Sequence, residues 1–102
     1  MDIVLYSRPQ SSYTAEDVAA LFDALDRSGM GWRVNKDFAS LAESLAGRSF
    51  APDELYDDAS QIDDRAQVMV SYGGDGTFLD CVRMLGGRPV PIIGINSGPV
   101  SY

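Results

Sequence analysis

Histidine is absent from this 102-residue sequence, and cysteine and lysine occur once each, as Cys81 and Lys36. Without histidine, a Ser-His-Asp or Cys-His nucleophile system is excluded, as is an H-E-x-x-H metal site. A single cysteine excludes an internal disulfide and a Cys-rich zinc site. No run of about 20 apolar residues occurs, so no transmembrane helix is expected. The opening Met1-Asp2-Ile3-Val4-Leu5-Tyr6 has neither a basic segment nor a long apolar core. No signal peptide is expected there, and a cytoplasmic location is the default. Positive charge is scarce too: 8 basic against 15 acidic residues leave a net charge of -7. That balance argues against a nucleic-acid-binding face. What remains is 45% apolar and 23% charged, the makeup of one small folded domain. A chain this short buries only a modest share of its surface.

There is no internal repeat and no low-complexity tract. Apolar periodicity yields alternating elements instead. Ile3 to Tyr6 reads as a buried strand, and the polar, proline-broken stretch after it as a loop. Thr14 caps a helix whose stripe is Val18, Leu21, Phe22 and Leu25, ended by Gly29 and Gly31. Trp32 to Val34 reads as a second, edge-like strand. Asp37 is the expected cap of a second helix with stripe Phe38, Leu41, Ala42 and Leu45, closed by Gly47. Ser49 to Asp64, with Asp53, Glu54, Asp57, Asp58, Asp63 and Asp64, reads as a solvated acidic loop over a sheet edge, with a short helical turn as the alternative within it.

Ala66 to Tyr72 is the strongest strand pattern, short and β-branched. Gly73-Gly74-Asp75-Gly76 follows it, and Thr77 is expected to open a third helix carrying Phe78, Cys81, Val82 and Leu85, stopped by Gly86-Gly87. Val90 to Ile95 reads as a fourth strand running into Asn96-Ser97-Gly98. Strands alternating with helices imply an α/β domain with a parallel sheet, its near-continuous apolar strands covered on both faces. Ligands of such sheets sit at the carboxyl ends of the strands. Both glycine-rich segments fall at that end.

Three glycines around one carboxylate leave little side-chain bulk, so a ligand can approach the backbone closely. The following helix offers unpaired N–H groups, which suit phosphate. Asp75 is the only charged group in the loop, and it suits either accepting a hydroxyl proton or helping to hold a metal ion. Neither common nucleotide fingerprint is present. No lysine follows the glycines, and Phe78 and Leu79 stand where a dinucleotide fingerprint has its third glycine. Arg8, just past the first strand, lies at the ligand edge, where it meets phosphate or is simply a surface arginine. Asp80 is expected exposed or in a salt bridge, and Cys81 and Trp32 are expected in packing roles.

Gly73-Gly74-Asp75-Gly76-Thr77 is similar to the GGDGT signature of the NAD kinase family, which lipid kinases of the diacylglycerol and sphingosine type share. Ile92-Ile93-Gly94-Ile95-Asn96-Ser97-Gly98 resembles the GIN-x-G stretch of NAD kinases, where lipid kinases carry a GTGND-type loop. The resemblance implies a Rossmann-like parallel sheet with flanking helices, the N-terminal domain of that fold. It implies phosphoryl transfer from ATP, or polyphosphate in some members, to the 2′-hydroxyl of the adenosine ribose of NAD. It further implies a divalent cation, Mg2+ above all, as cofactor, and a homo-oligomer at full length. Asp75 takes the role of proton acceptor. Gly74, Asp75 and Gly76 would contact NAD, and Asn96 on the second loop is a further candidate contact.

Family members are far longer and continue into a β-rich second domain. This sequence departs from their pattern after Gly98, reading Pro99-Val100-Ser101-Tyr102. Residues 1–102 are therefore expected to form one α/β domain, the nucleotide-binding half of a two-domain kinase whose C-terminal domain is missing. Alone, they are expected to be inactive and to associate through the face that the second domain would cover. The alternatives are a GGDGT-type lipid kinase domain and a non-catalytic module that binds a nucleotide or a partner.

Overall fold

The computed structural model describes residues 2–9, 13–63 and 66–95. Five parallel strands form one sheet in the order β3-β2-β1-β4-β5. They are β1 (Asp2–Tyr6), β2 (Gly31–Asn35), β3 (Leu55–Tyr56), β4 (Ala66–Tyr72) and β5 (Ile92–Ile95). Helices α1 (Ala15–Arg27), α2 (Lys36–Ala46) and α3 (Asp75–Leu85) link β1 to β2, β2 to β3 and β4 to β5. The α/β, Rossmann-like expectation holds. The chain winds outward from β1 to β3, then returns to place β4 against the other side of β1. That reversal opens a crevice between the carboxyl ends of β1 and β4.

Successive side chains of a strand point to opposite faces, and the central strands use both. Ile3 and Leu5 pack with Val18, Phe22 and Phe38 beneath α1 and α2. Val4 and Met69 pack with Cys81 and Leu85 beneath α3. All four residues of the expected α1 stripe are buried, and the Thr14 side chain accepts the Asp17 N–H at 3.1 Å. Trp32 is core: its ring packs tilted against Phe22 and edge-to-face with Phe50, the Arg48 guanidinium lies 5.4 Å from its ring centroid, and its indole N–H donates to Asp26. It is also not on an edge strand, because β3 lies outside β2.

Several local expectations need correction. Gly31 begins β2 instead of ending α1. The cap of α2 is Asn35, whose side-chain oxygen accepts the N–H groups of Asp37 and Phe38 at 3.0 and 3.3 Å. Asp37 sits in the first turn, where its carboxylate has no partner among the described residues and meets the helix dipole. Replacing Asn35 by Ala should therefore cost about 1 kcal/mol in chemical denaturation. Replacing Asp37 by Ala should cost only a few tenths, or about 0.3 kcal/mol. The reverse order would return the cap to Asp37.

The acidic loop is more ordered than its composition suggests. It holds two 3-10 turns (Pro52–Glu54 and Ala59–Gln61) around β3. Asp63 pairs with Arg33 at 3.2 Å, and Asp64 lies outside the described residues.

On the far side of the sheet the covered-face expectation fails. β5 is an edge strand with Ile93 and Ile95 exposed. Of the expected α3 stripe, Cys81 and Leu85 are buried, while Phe78 and Val82 are exposed beside Leu79. The stripe records apolar character, and only half of it finds a partner among the described residues.

Candidate functional site

The turn from β4 into α3 stands at the β1–β4 crevice. Tyr72 ends β4, and its carbonyl accepts the Ser7 hydroxyl at 2.6 Å. The Tyr13 hydroxyl lies 2.6 Å from Ser7 Oγ and 3.2 Å from the same carbonyl. On the other side, the Gly73 N–H donates to the Ile95 carbonyl at 2.8 Å. Contacts from both neighbouring strands thus fix the turn before the glycines begin. Ser7 and Tyr13 do this work, and motif reading misses both. The available signal was Ser7, a small polar residue directly after a buried apolar strand.

Gly73 has φ +151°, and a Cβ there would stand 2.6 Å from Thr77 Oγ1 and 3.3 Å from the Tyr13 hydroxyl. This glycine is required by the fold. Gly74 is the N-cap of α3, with extended backbone, no side chain to cap with, and open space where a Cβ would be. The helix begins at Asp75, two residues before the expected Thr77. Asp75 and Gly76 therefore lie in the first turn of a helix, and Thr77 is buried beneath it. Phe78 N–H to Gly74 carbonyl, 3.2 Å, closes that turn. The N–H groups before it have no partner within the helix, and the positive end of the helix dipole adds to them.

Asp75 is exposed, with no hydrogen-bond partner among the described residues. Its neighbour Gly76 is crowded by Arg8: a Cβ there would lie 3.0 Å from Nη1. The Arg8 guanidinium donates from Nε to Asp80 Oδ2 at 2.6 Å and from Nη2 to Oδ1 at 3.0 Å. Nη2 also reaches the Gly76 carbonyl at 3.3 Å. The Tyr6 hydroxyl donates to Asp80 at 3.0 Å. The Arg8 hydrogen bonds hold the Asp80 carboxyl below the usual range, while burial and then Asp80 push the Tyr6 phenol up to about 12. Arg8, Asp75, Gly76 and Asp80 are thus brought together. Asn96 lies outside the described residues.

Two other features carry no chemistry here. Cys81 faces the core, and burial pushes its thiol up to about 11, away from the thiolate form that a nucleophile needs. An open depression of about 610 Å³ lies at the opposite sheet edge, lined by Asp2, Gly31, Arg33 and Glu54 among others. Its arginine is spent on Asp2, Asp63 and the Gln61 carbonyl.

The whole span from Ser7 onward, residues 7–102, matches the family model described as ATP-NAD kinase N-terminal domain. The chain belongs to the ATP-NAD kinase family. An NAD kinase of Bacteroides fragilis is 29% identical over 102 residues, all of this chain and 34% of that protein. One from Azoarcus sp. is 32% identical over 100 residues, 98% of this chain and 32% of that protein. One from Geobacter metallireducens reaches 43% identity over 44 residues, 43% of this chain and 16% of its own length. The chain therefore spans about a third of the length of the curated relatives it matches over its full extent. No solved structure matches it. The parallel sheet and its flanking helices agree with a kinase domain of this family, and no described helix is long and apolar enough to cross a membrane.

Proposed function

We propose that this domain is the nucleotide-binding half of an NAD kinase, with Asp75 as the proton acceptor. One observation carries the reading. In a chain that matches NAD kinases, the family's GGDGT segment stands at the switch point of the sheet and presents a single exposed carboxylate at a helix N-terminus. In this reading the 2′-hydroxyl of the adenosine ribose of NAD attacks the γ-phosphorus of ATP. The new bond joins that oxygen to phosphorus, the hydroxyl proton passes to Asp75, and ADP leaves. Phosphoryl transfer asks a protein chiefly for positioning and charge stabilisation. Gly74 supplies an unobstructed face, and Asp75 and Gly76 bring the first-turn N–H groups to the dinucleotide. Asn96, on the segment after β5, is a further proposed contact. The enzyme would be cytoplasmic and, at full length, a homo-oligomer.

The divalent cation of this reading does not fit as a resident of these residues. Among the described residues no three His, Cys, Asp or Glu side chains converge, and the turn offers one carboxylate. Mg2+ is commonly held by one or two carboxylates together with substrate phosphates, so it would enter on the donor. No step here is assigned to it.

The test is an assay of the complete polypeptide that carries this domain, with NAD and either ATP or polyphosphate. NADP formation is expected with at least one donor. No NADP with either would remove the reading.

A further inference from the structure

We propose that Arg8 is a phosphate-binding residue of this nucleotide site and that Asp80 is the residue that positions it. The inference rests on the nucleotide-site reading above and adds the cationic hydrogen-bond donor that reading lacks. The chain carries a net charge of -7, which repels a polyanionic substrate. Backbone N–H groups at a helix start offset part of that repulsion, but they carry no full charge. Among the described residues, Arg8 is the basic side chain whose hydrogen bonds reach the glycine turn.

A guanidinium has five N–H donors in a planar fork. Two nitrogens of Arg8 are engaged: Nε with Asp80, and Nη2 with Asp80 and the Gly76 carbonyl. Nη1 makes no hydrogen bond among the described residues, and the side chain is 47% exposed. This free nitrogen stands over Gly76, one residue beyond Asp75, close enough that a Cβ there would lie 3.0 Å from it. Asp80 grips the fork from one side by a two-point contact, and Tyr6 holds Asp80 in turn. The pair is therefore an arginine held in a fixed orientation, with unused donors facing the turn where phosphate would lie. A fork held this way loses less freedom on binding than a free side chain. The chemistry recognised is a phosphate oxygen, from either the dinucleotide's pyrophosphate or the donor's triphosphate.

The experiment compares the complete polypeptide with Arg8→Ala, Arg8→Lys and Asp80→Asn. Arg8→Ala is expected to raise KM for one nucleotide about 10- to 100-fold, since a charge-assisted contact is lost. The rise should exceed any fall in kcat. A rise for NAD assigns the dinucleotide's phosphates, and a rise for ATP assigns the donor's. Asp80→Asn should raise the same KM by a smaller factor, and Arg8→Lys should fall between it and Arg8→Ala. If Arg8→Ala lowers Tm and leaves both KM values within about twofold, the pair is only a staple between the β1 end and α3, and the proposal fails. If Arg8→Ala does not fold, the Lys and Asn variants decide by the same comparison. Calorimetric titration with inorganic pyrophosphate separates this proposal from the kinase reading itself. Binding that weakens about tenfold or more in the Arg8 variants supports the site even if no NADP is formed. Equal binding by wild type and variants overturns it.

Discussion

Replacing Asp75 by Asn in the complete polypeptide is expected to lower kcat for NADP formation roughly 10²- to 10⁴-fold, the usual worth of a general base. The substitution keeps the shape of the side chain and removes its capacity to take a proton. It should leave the fold intact. Asp75 is exposed and makes no hydrogen bond within the described residues, so nothing buried is stranded. It does sit in the first turn of α3, where a negative charge stabilises the helix by about 0.3–1 kcal/mol. A drop in stability of that size is the most that should be seen. Nucleotide affinity should hold or improve, because a carboxylate next to the phosphates repels them. The expected result is thus lost turnover with retained binding, read by separate measurement of kcat and of the NAD dissociation constant. Activity within about threefold of wild type would remove Asp75 from proton transfer. Weakened binding with intact turnover would leave it a binding contact to the ribose with no part in proton transfer.

The position of this residue is legible from the chain alone because three simple signals agree. A buried β-branched strand, a run of glycines and a helix pattern follow one another from Ala66 to Leu85, and parallel sheets place such turns at their ligand edge. The helix stripe from Val18 to Leu25 is legible for the same reason, since burial and period coincide. Other features are hidden for definable causes. The strand β3 has two residues, Leu55 and Tyr56, too few to show a period. The Asn35 cap is itself the last residue of β2, so its polarity reads as the end of the strand and Asp37 attracts the assignment. The outer half of the α3 stripe misleads because apolar spacing tells what a side chain is and leaves open what meets it. Arg8 and Asp80 are 72 positions apart, and only the return of β4 to β1 makes them neighbours. Motif reading finds the carboxylate at the turn and misses what holds the turn in place.

The glycines of that turn should separate by role when each is replaced by Ala. At Gly73 the added methyl would stand 2.6 Å from Thr77 Oγ1 and 3.1 Å from Thr77 Cβ, with φ at +151°. Thr77 is buried and β-branched, so it has little freedom to withdraw. The alternative is to move Gly73 itself, whose N–H is bonded to Ile95 and whose preceding carbonyl is held by Ser7 and Tyr13. Clash and backbone strain together should cost about 2–4 kcal/mol, a large share of the stability of a domain this size. A fall in Tm and loss of activity are expected together. At Gly74 the methyl meets nothing within 4 Å, and φ is -96°, which any residue adopts. Stability there should stay within about 0.5 kcal/mol of wild type. The methyl would instead occupy the open face through which the nucleotide reaches the backbone, so KM should rise with Tm unchanged. Thermal melts and steady-state kinetics on the two variants decide the matter. If Gly74→Ala is silent in both, that face is not where the nucleotide lies, and the contact assigned to Gly74 falls while the structural role of Gly73 stands.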